Sequence, residues 1–185
     1  FGKDNFNFNN SRRSFTTSIP WGNSTATFRW NHVFNKKLFA NTSLVYNDYK
    51  FDFNGTQNSF VFKLSSGIKD LNAKTDVDFY ATPEHKIKFG GQYTYHTFLP
   101  SVASGSKDTV VFTPNNTQKK YANEFALYIQ DDWEITKRLK LNYGLRYSQF
   151  QQVGKYTAYN TDAFGNKTDS TVYGSGQVVK SYGGF

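Results

Sequence analysis

Between residues 123 and 147, apolar and polar side chains take turns, with Asp131 the one intruder on the oily side, and this period of two restricts the chain more than any other feature. Phe125, Leu127, Ile129, Trp133 and Ile135 fall on one side, and Glu124, Ala126, Tyr128, Gln130, Asp132 and Glu134 on the other. A short basic stretch at 136–138 follows, after which Leu139, Leu141, Tyr143, Leu145 and Tyr147 alternate with Lys140, Asn142, Gly144, Arg146 and Ser148. A helix would group residues three and four apart, so this pattern gives one oily face only when the chain is extended. Two such runs joined by a tight turn predict an antiparallel hairpin.

The same unit recurs twice upstream. Leu71, Ala73, Val77 and Phe79 oppose Asn72, Lys74, Asp76 and Asp78, and after the turn "TPEHK" Ile87, Phe89, Tyr93 and Tyr95 oppose Lys88, Gln92 and His96. Earlier, Ala26, Phe28, Trp30, His32 and Phe34 share a face before the turn "NKK", which leads into residues 38–53. The expected hairpins are therefore 24–53, 70–98 and 123–151, each closed by a short Lys-bearing turn. The connections between them, 54–69, 99–121 and 152–185, are long and rich in Gly, Ser, Thr, Asn and Tyr. Short turns at one end and long loops at the other are the layout of an outer-membrane barrel. The strands run to about 11–15 residues, against about five or six in soluble sheets, and a tilted membrane strand needs roughly 9–11.

Composition fits this class. Phe and Tyr are abundant, at 19 and 13 residues, and they gather near the strand ends. Trp30, Phe34, Phe79 and Trp133 lie by the short turns, and Tyr46, Tyr49, Tyr93, Tyr95, Tyr147 and Phe150 toward the long loops. Rings with an apolar body and a polar tip settle at headgroup depth, forming a girdle at each interface. The mean hydropathy of −0.66 excludes a helical membrane protein. It leaves a barrel open, because barrel strands are only half apolar. The alternative with the same alternation is a soluble β-sandwich that binds glycans or surfaces, in which a second sheet covers the oily face.

The net charge of +8 makes nucleic acid the first partner to weigh. Yet Lys36, Lys37, Lys86, Lys88, Lys137, Arg138 and Lys140 repeat once per hairpin at the short turns instead of lining one groove, so no nucleic-acid partner is expected. Absent cysteines exclude a disulfide scaffold and a thiolate metal site. Asp131 and Asp132 look like a paired-carboxylate site, but neighbours on a strand point to opposite faces, so the two cannot share one. Asp132 is assigned to the polar face and Asp131 to the membrane boundary. "NTDAFGNKTDST" at 160–171 misses the calcium-loop spacing and reads as a turn at Gly165-Asn166. No cofactor, metal or catalytic residue is assigned, and an enzyme is not expected.

The stretch "EFALYIQDDWEITKRLKLNYGLRYSQF" resembles the barrel of TonB-dependent outer-membrane receptors, in which a "YxQDxW" strand and an "LxLxxGLRY" strand flank a short periplasmic turn. Tyr128, Gln130, Asp131, Trp133, Gly144, Leu145, Arg146 and Tyr147 match. "HKIKFGGQYTYHTFLP" at 85–100 and "STATFRWNHVFNKKLFANTSLVY" at 24–46 are similar to further strands of the family, in its Bacteroidetes, SusC-like form. The resemblance implies an all-β, antiparallel transmembrane barrel segment of about six or more long strands in the bacterial outer membrane. Complete barrels of this kind have about 22 strands around a plugged lumen, so this chain is expected to be a piece of one, without plug domain or TonB box. It implies a part in uptake of a nutrient (glycan, peptide or metal chelate). The implied partners are outer-membrane lipid, the rest of the barrel and its plug, TonB through the missing N-terminal part, and a surface lipoprotein. The expected lumen-facing residues for plug or substrate contact are Asp76, Asp78, Gln92, His96, Gln130, Asp132 and Arg146. Residues 5–19 and 171–180 are left outside the strands.

Overall fold

The computed structural model describes residues 2–10, 14–107, 110–112 and 118–185. Among these, eleven strands carry the fold: β1 Gly2–Asn10, β2 Phe15–Asn35, β3 Leu38–Gln57, β4 Phe60–Tyr80, β5 His85–Lys107, β6 Val110–Phe112, β7 Lys120–Thr136, β8 Leu139–Val153, β9 Tyr156–Thr161, β10 Lys167–Tyr173 and β11 Val178–Gly184. Strands β1 to β5, then β7, β8 and β11, lie side by side in that order; β6 folds back on β5, and β9 and β10 form a separate ribbon. The sheet is an antiparallel meander: β1 to β5 pair in sequence order, as do β7 and β8, while β5 pairs β7 past β6 and β8 pairs β11 past the ribbon.

The alternation in the sequence becomes a two-faced sheet. On β7, Phe125, Leu127 and Ile129 stand exposed, while Ala122 and Ala126 of the opposite parity are buried. Phe28, Leu127 and Leu145 are 63%, 66% and 68% exposed, so among the described residues no second sheet covers the oily face as a soluble sandwich requires. No large side chain among the described residues is fully buried. The apolar surface therefore has to find its cover outside this sheet, and the ladder of backbone hydrogen bonds carries the architecture.

The three tight turns fall where the basic punctuation places them, at Lys36-Lys37, residues 81–84 and Lys137-Arg138. Two expectations need correction. The segment 54–69 is not a long connection: β3 continues to Gln57 and β4 begins at Phe60, with Asn58 at φ 52° making the turn. Residues 5–19 and 171–180, left outside the strands, lie largely within β1, β2, β10 and β11. The strands are accordingly longer than expected, up to 23 residues in β5. Part of the segment 99–121 lies outside the described residues; the rest belongs to β5, β6 and the start of β7, apart from residues 118–119.

Contacts divide the chain into two units. The first comprises 1–25, 47–69 and 97–120. Within it β1 pairs with β2 from Gly2↔Asn23 to Asn10↔Phe15, and Phe53 meets Phe62 edge-on at 6.1 Å. The second comprises 26–46, 70–96 and 121–185. Within it β7 and β8 pair from Tyr121↔Val153 to Thr136↔Leu139. Strand β11 joins β8 only along Ser148–Val153, so the outer edge of Leu139–Tyr147 has no partner among the described residues.

Candidate functional site on the polar face

In the second unit the polar parities of β4, β5, β7 and β8 bring together a charged recess. Tyr128 on β7 faces Arg146 on β8 in the pairing register. Its side chain runs the other way, across β5, and its hydroxyl donates to Asp76 Oδ1 on β4. Gly90 on β5 makes this reach feasible. A Cβ there would stand 2.6 Å from the Tyr128 hydroxyl and 2.3 Å from the Thr75 carbonyl oxygen, closer than atoms pack. Lys74 Nζ completes the group, 3.0 Å from Asp76 Oδ2 and 5.8 Å from the Tyr128 ring. The Arg146 guanidinium lies on the same ring, at 5.6 Å.

These side chains border a recess of about 420 Å³, which Lys88 and Gln130 also line. Of the residues expected to face the lumen, Asp76, Gln130 and Arg146 therefore meet at one place. Asp132 accepts a bond from Asn142 Nδ2, its partner across the β7–β8 pair. Asp78 pairs with Lys86 Nζ at 3.5 Å. Gln92 Nε2 donates to Thr94 Oγ1 at 3.5 Å, and the same buried hydroxyl takes a bond from Asn72 Nδ2 at 2.7 Å. His96 belongs to a different cluster, with Nδ1 2.8 Å from Asp70 Oδ1 and Nε2 3.4 Å from Glu124 Oε2.

Lys88, Asp70, Glu124 and Tyr128 were not among the expected site residues. Tyr128 and Glu124 carry the right parity, but only the lateral order of the strands brings them to Asp76 and His96.

The two neighbouring aspartates do separate. Asp132 bonds to Asn142 on the polar side, whereas Asp131 Oδ2 meets His85 Nδ1 at 2.7 Å and accepts from the Tyr143 hydroxyl at 2.9 Å. The His85 ring stacks on Trp133, with centroids 5.3 Å apart. Both bonds fall on Oδ2 of a carboxylate that shares the parity of Trp133 and Tyr143, while its Oδ1 is buried with no partner among the described residues.

In the first unit a larger cleft, about 600 Å³, is bordered by Trp21, Asp4, Asp52, Lys3 and Lys50. Its Asp48 is held by Lys69 at 3.1 Å and by Lys50 at 3.8 Å. None of these was expected as a site residue. The turn between β9 and β10 is closed by Asp162, which accepts from the backbone N–H groups of Phe164 and Asn166 at 2.8 and 2.9 Å, with Gly165 at φ +85°. These bonds, led by those from Asn166, hold the Asp162 carboxyl below its ordinary range.

A meander of long antiparallel strands, with one face of uncovered apolar and aromatic side chains and the other of interlocked charges, defines a membrane β-barrel segment. Residues 1–180 match the family model described as "TonB dependent receptor-like, beta-barrel", and the chain belongs to that family. It is a portion of the barrel of a bacterial outer-membrane transporter. No curated protein and no solved structure matches the chain.

Proposed function

We propose that this chain forms part of the wall of an uptake transporter, with its polar face toward the aqueous interior and its apolar face in lipid. Nutrient transport is driven through TonB in the whole protein, and the cargo is a glycan, a peptide or a metal chelate. The membership carries this reading, because it joins a two-faced sheet to a family of outer-membrane receptors. On it, Asp76, Gln130 and Arg146 meet the plug or the passing solute, as do Asp78, Gln92, His96 and Asp132. Residues 54–69, 99–121 and 152–185 stand on the extracellular side. The SusC-like form, a Bacteroidetes source and a surface-lipoprotein partner rest on the strand motifs at 24–46, 85–100 and 124–150.

Gene deletion tests transport. Cells lacking the intact protein should lose growth on one nutrient of these classes when it is scarce, and regain it on complementation. Unchanged uptake of all three classes would overturn the transport reading. Single cysteines at Gln130 and Leu127 test the faces, since these 185 residues hold none to interfere. A water-soluble thiol reagent should modify position 130 and spare 127 in membranes. The reverse order would overturn the assignment of faces.

A further inference from the structure

The charges in the polar recess do not balance. Lys74, Lys88 and Arg146 bring three positive charges to it, and Asp76 brings one negative charge. Asp76 is already engaged, with the Tyr128 hydroxyl on one oxygen and Lys74 on the other. Arg146 uses Nε toward Ser148 Oγ, at 3.1 Å, and its guanidinium carbon lies over the Tyr128 ring, 5.6 Å from the centroid. Among the described residues its terminal nitrogens have no acceptor, and neither does Lys88 Nζ. Gln130 adds an amide to the same wall. A guanidinium fork over an aromatic ring, with an ammonium and an amide beside it, is a donor set that can recognise paired anionic oxygens.

The excess of two charges also has a physical consequence. Cations gathered at one recess repel, and an anion that enters gains from both at once. The recess is far larger than a single oxyanion needs, so its occupant is a free anion with water or an anionic group on a larger molecule.

We propose that Lys88, Arg146 and Gln130 form an oxyanion site on the polar face, built for a carboxylate or phosphate group. The proposal rests on the reading that this face meets water inside the barrel. Asp76, Tyr128 and Lys74 form the rigid side of the site: they hold the Tyr128 ring under Arg146 and supply no free donor of their own.

The test is calorimetric titration of the intact protein in detergent with succinate and, separately, inorganic phosphate, against chloride at equal ionic strength. Heat-modifiable gel mobility establishes that each sample is folded, and reconstitution into vesicles establishes that it inserts. Saturable binding of one or both oxyanions is expected, and the stronger binder tells carboxylate from phosphate. Arg146→Gln and Lys88→Gln should each weaken it about tenfold, and Arg146→Lys less than Arg146→Gln, because charge remains while the fork is lost. A folded, inserting protein that binds neither oxyanion better than chloride overturns the site and leaves the transporter reading standing. Equal affinity in all variants also overturns it. A folded protein that does not insert overturns the reading beneath it instead.

Discussion

The hydroxyl of Tyr128 on β7 donates to the carboxylate of Asp76 on β4, two strands away, over the bare backbone of Gly90 on β5. Three strands are thereby tied at one level by a bond that is no part of the ladder. Tyr128→Phe removes the donor and leaves Asp76 with Lys74, and a loss of about 1–2 kcal/mol is expected. Gly90→Ala pushes a methyl group against the Tyr128 hydroxyl and the Thr75 carbonyl, with a loss of about 1–3 kcal/mol. Because both changes break the same contact, the double variant should lose less than the sum. Urea unfolding in detergent, followed by gel mobility, measures all three.

The oily face gives a sharper contrast. Leu127 and Leu145 are 66% and 68% exposed on the sheet and are assigned to lipid. Arginine at either position should destabilise the inserted protein by up to about 2–4 kcal/mol, depending on depth. Gln130→Arg, on the other face, should change stability by less than about 1 kcal/mol while raising the charge of the recess. Unfolding from vesicles compares them, and equal losses on the two faces would falsify the assignment.

Asp131 and His85 test how a charge is kept on that oily face. His85→Leu leaves Asp131 with the Tyr143 hydroxyl alone, and a loss of about 1–3 kcal/mol is expected. Replacing both, as His85→Leu with Asp131→Leu, removes the polar pair together and should recover most of that loss. A double variant less stable than His85→Leu would show that the pair itself stabilises the sheet. The same unfolding assay decides.

The β9–β10 turn responds to pH through Asp162. Its carboxyl is held below the ordinary value of 3.8 by the bonds from Asn166 and Phe164. The folded form of the turn therefore binds the proton more weakly than the open chain. Its contribution is fully present above pH 3.8 and is lost as pH falls through the lower, folded value. Amide resonances of Phe164 and Asn166 should be constant from neutral pH down to about 4 and move together below it. Asp162→Ala should abolish the step.

The membrane-facing half of the pattern was legible in the sequence because one face there must be apolar. Residues 123–147 show it fully, and the separation of Asp131 from Asp132 followed from strand parity alone. Beyond that zone the signal fades for a physical reason. Where both faces are polar, as in Asn54–Gln57 or Thr168–Thr171, nothing selects a period of two, although the backbone ladder continues. Hence 54–69 looked like a connection, and the ends, even with "NFNFNN", looked like termini. The site was half legible. Parity placed Asp76, Gln130 and Arg146 on one face, but the meeting of Asp70, His96 and Glu124 depends on how β4, β5 and β7 are shifted along one another, and no single strand encodes that shift.

The uncovered stripe of Phe125, Leu127 and Ile129 fixes the order in which surfaces are met. In water the cheapest cover for such a stripe is another of its kind, so an uninserted sheet tends to stick to its like. Lipid competes for the same side chains. The route to the membrane therefore has to keep the oily face shielded until the bilayer takes over that role.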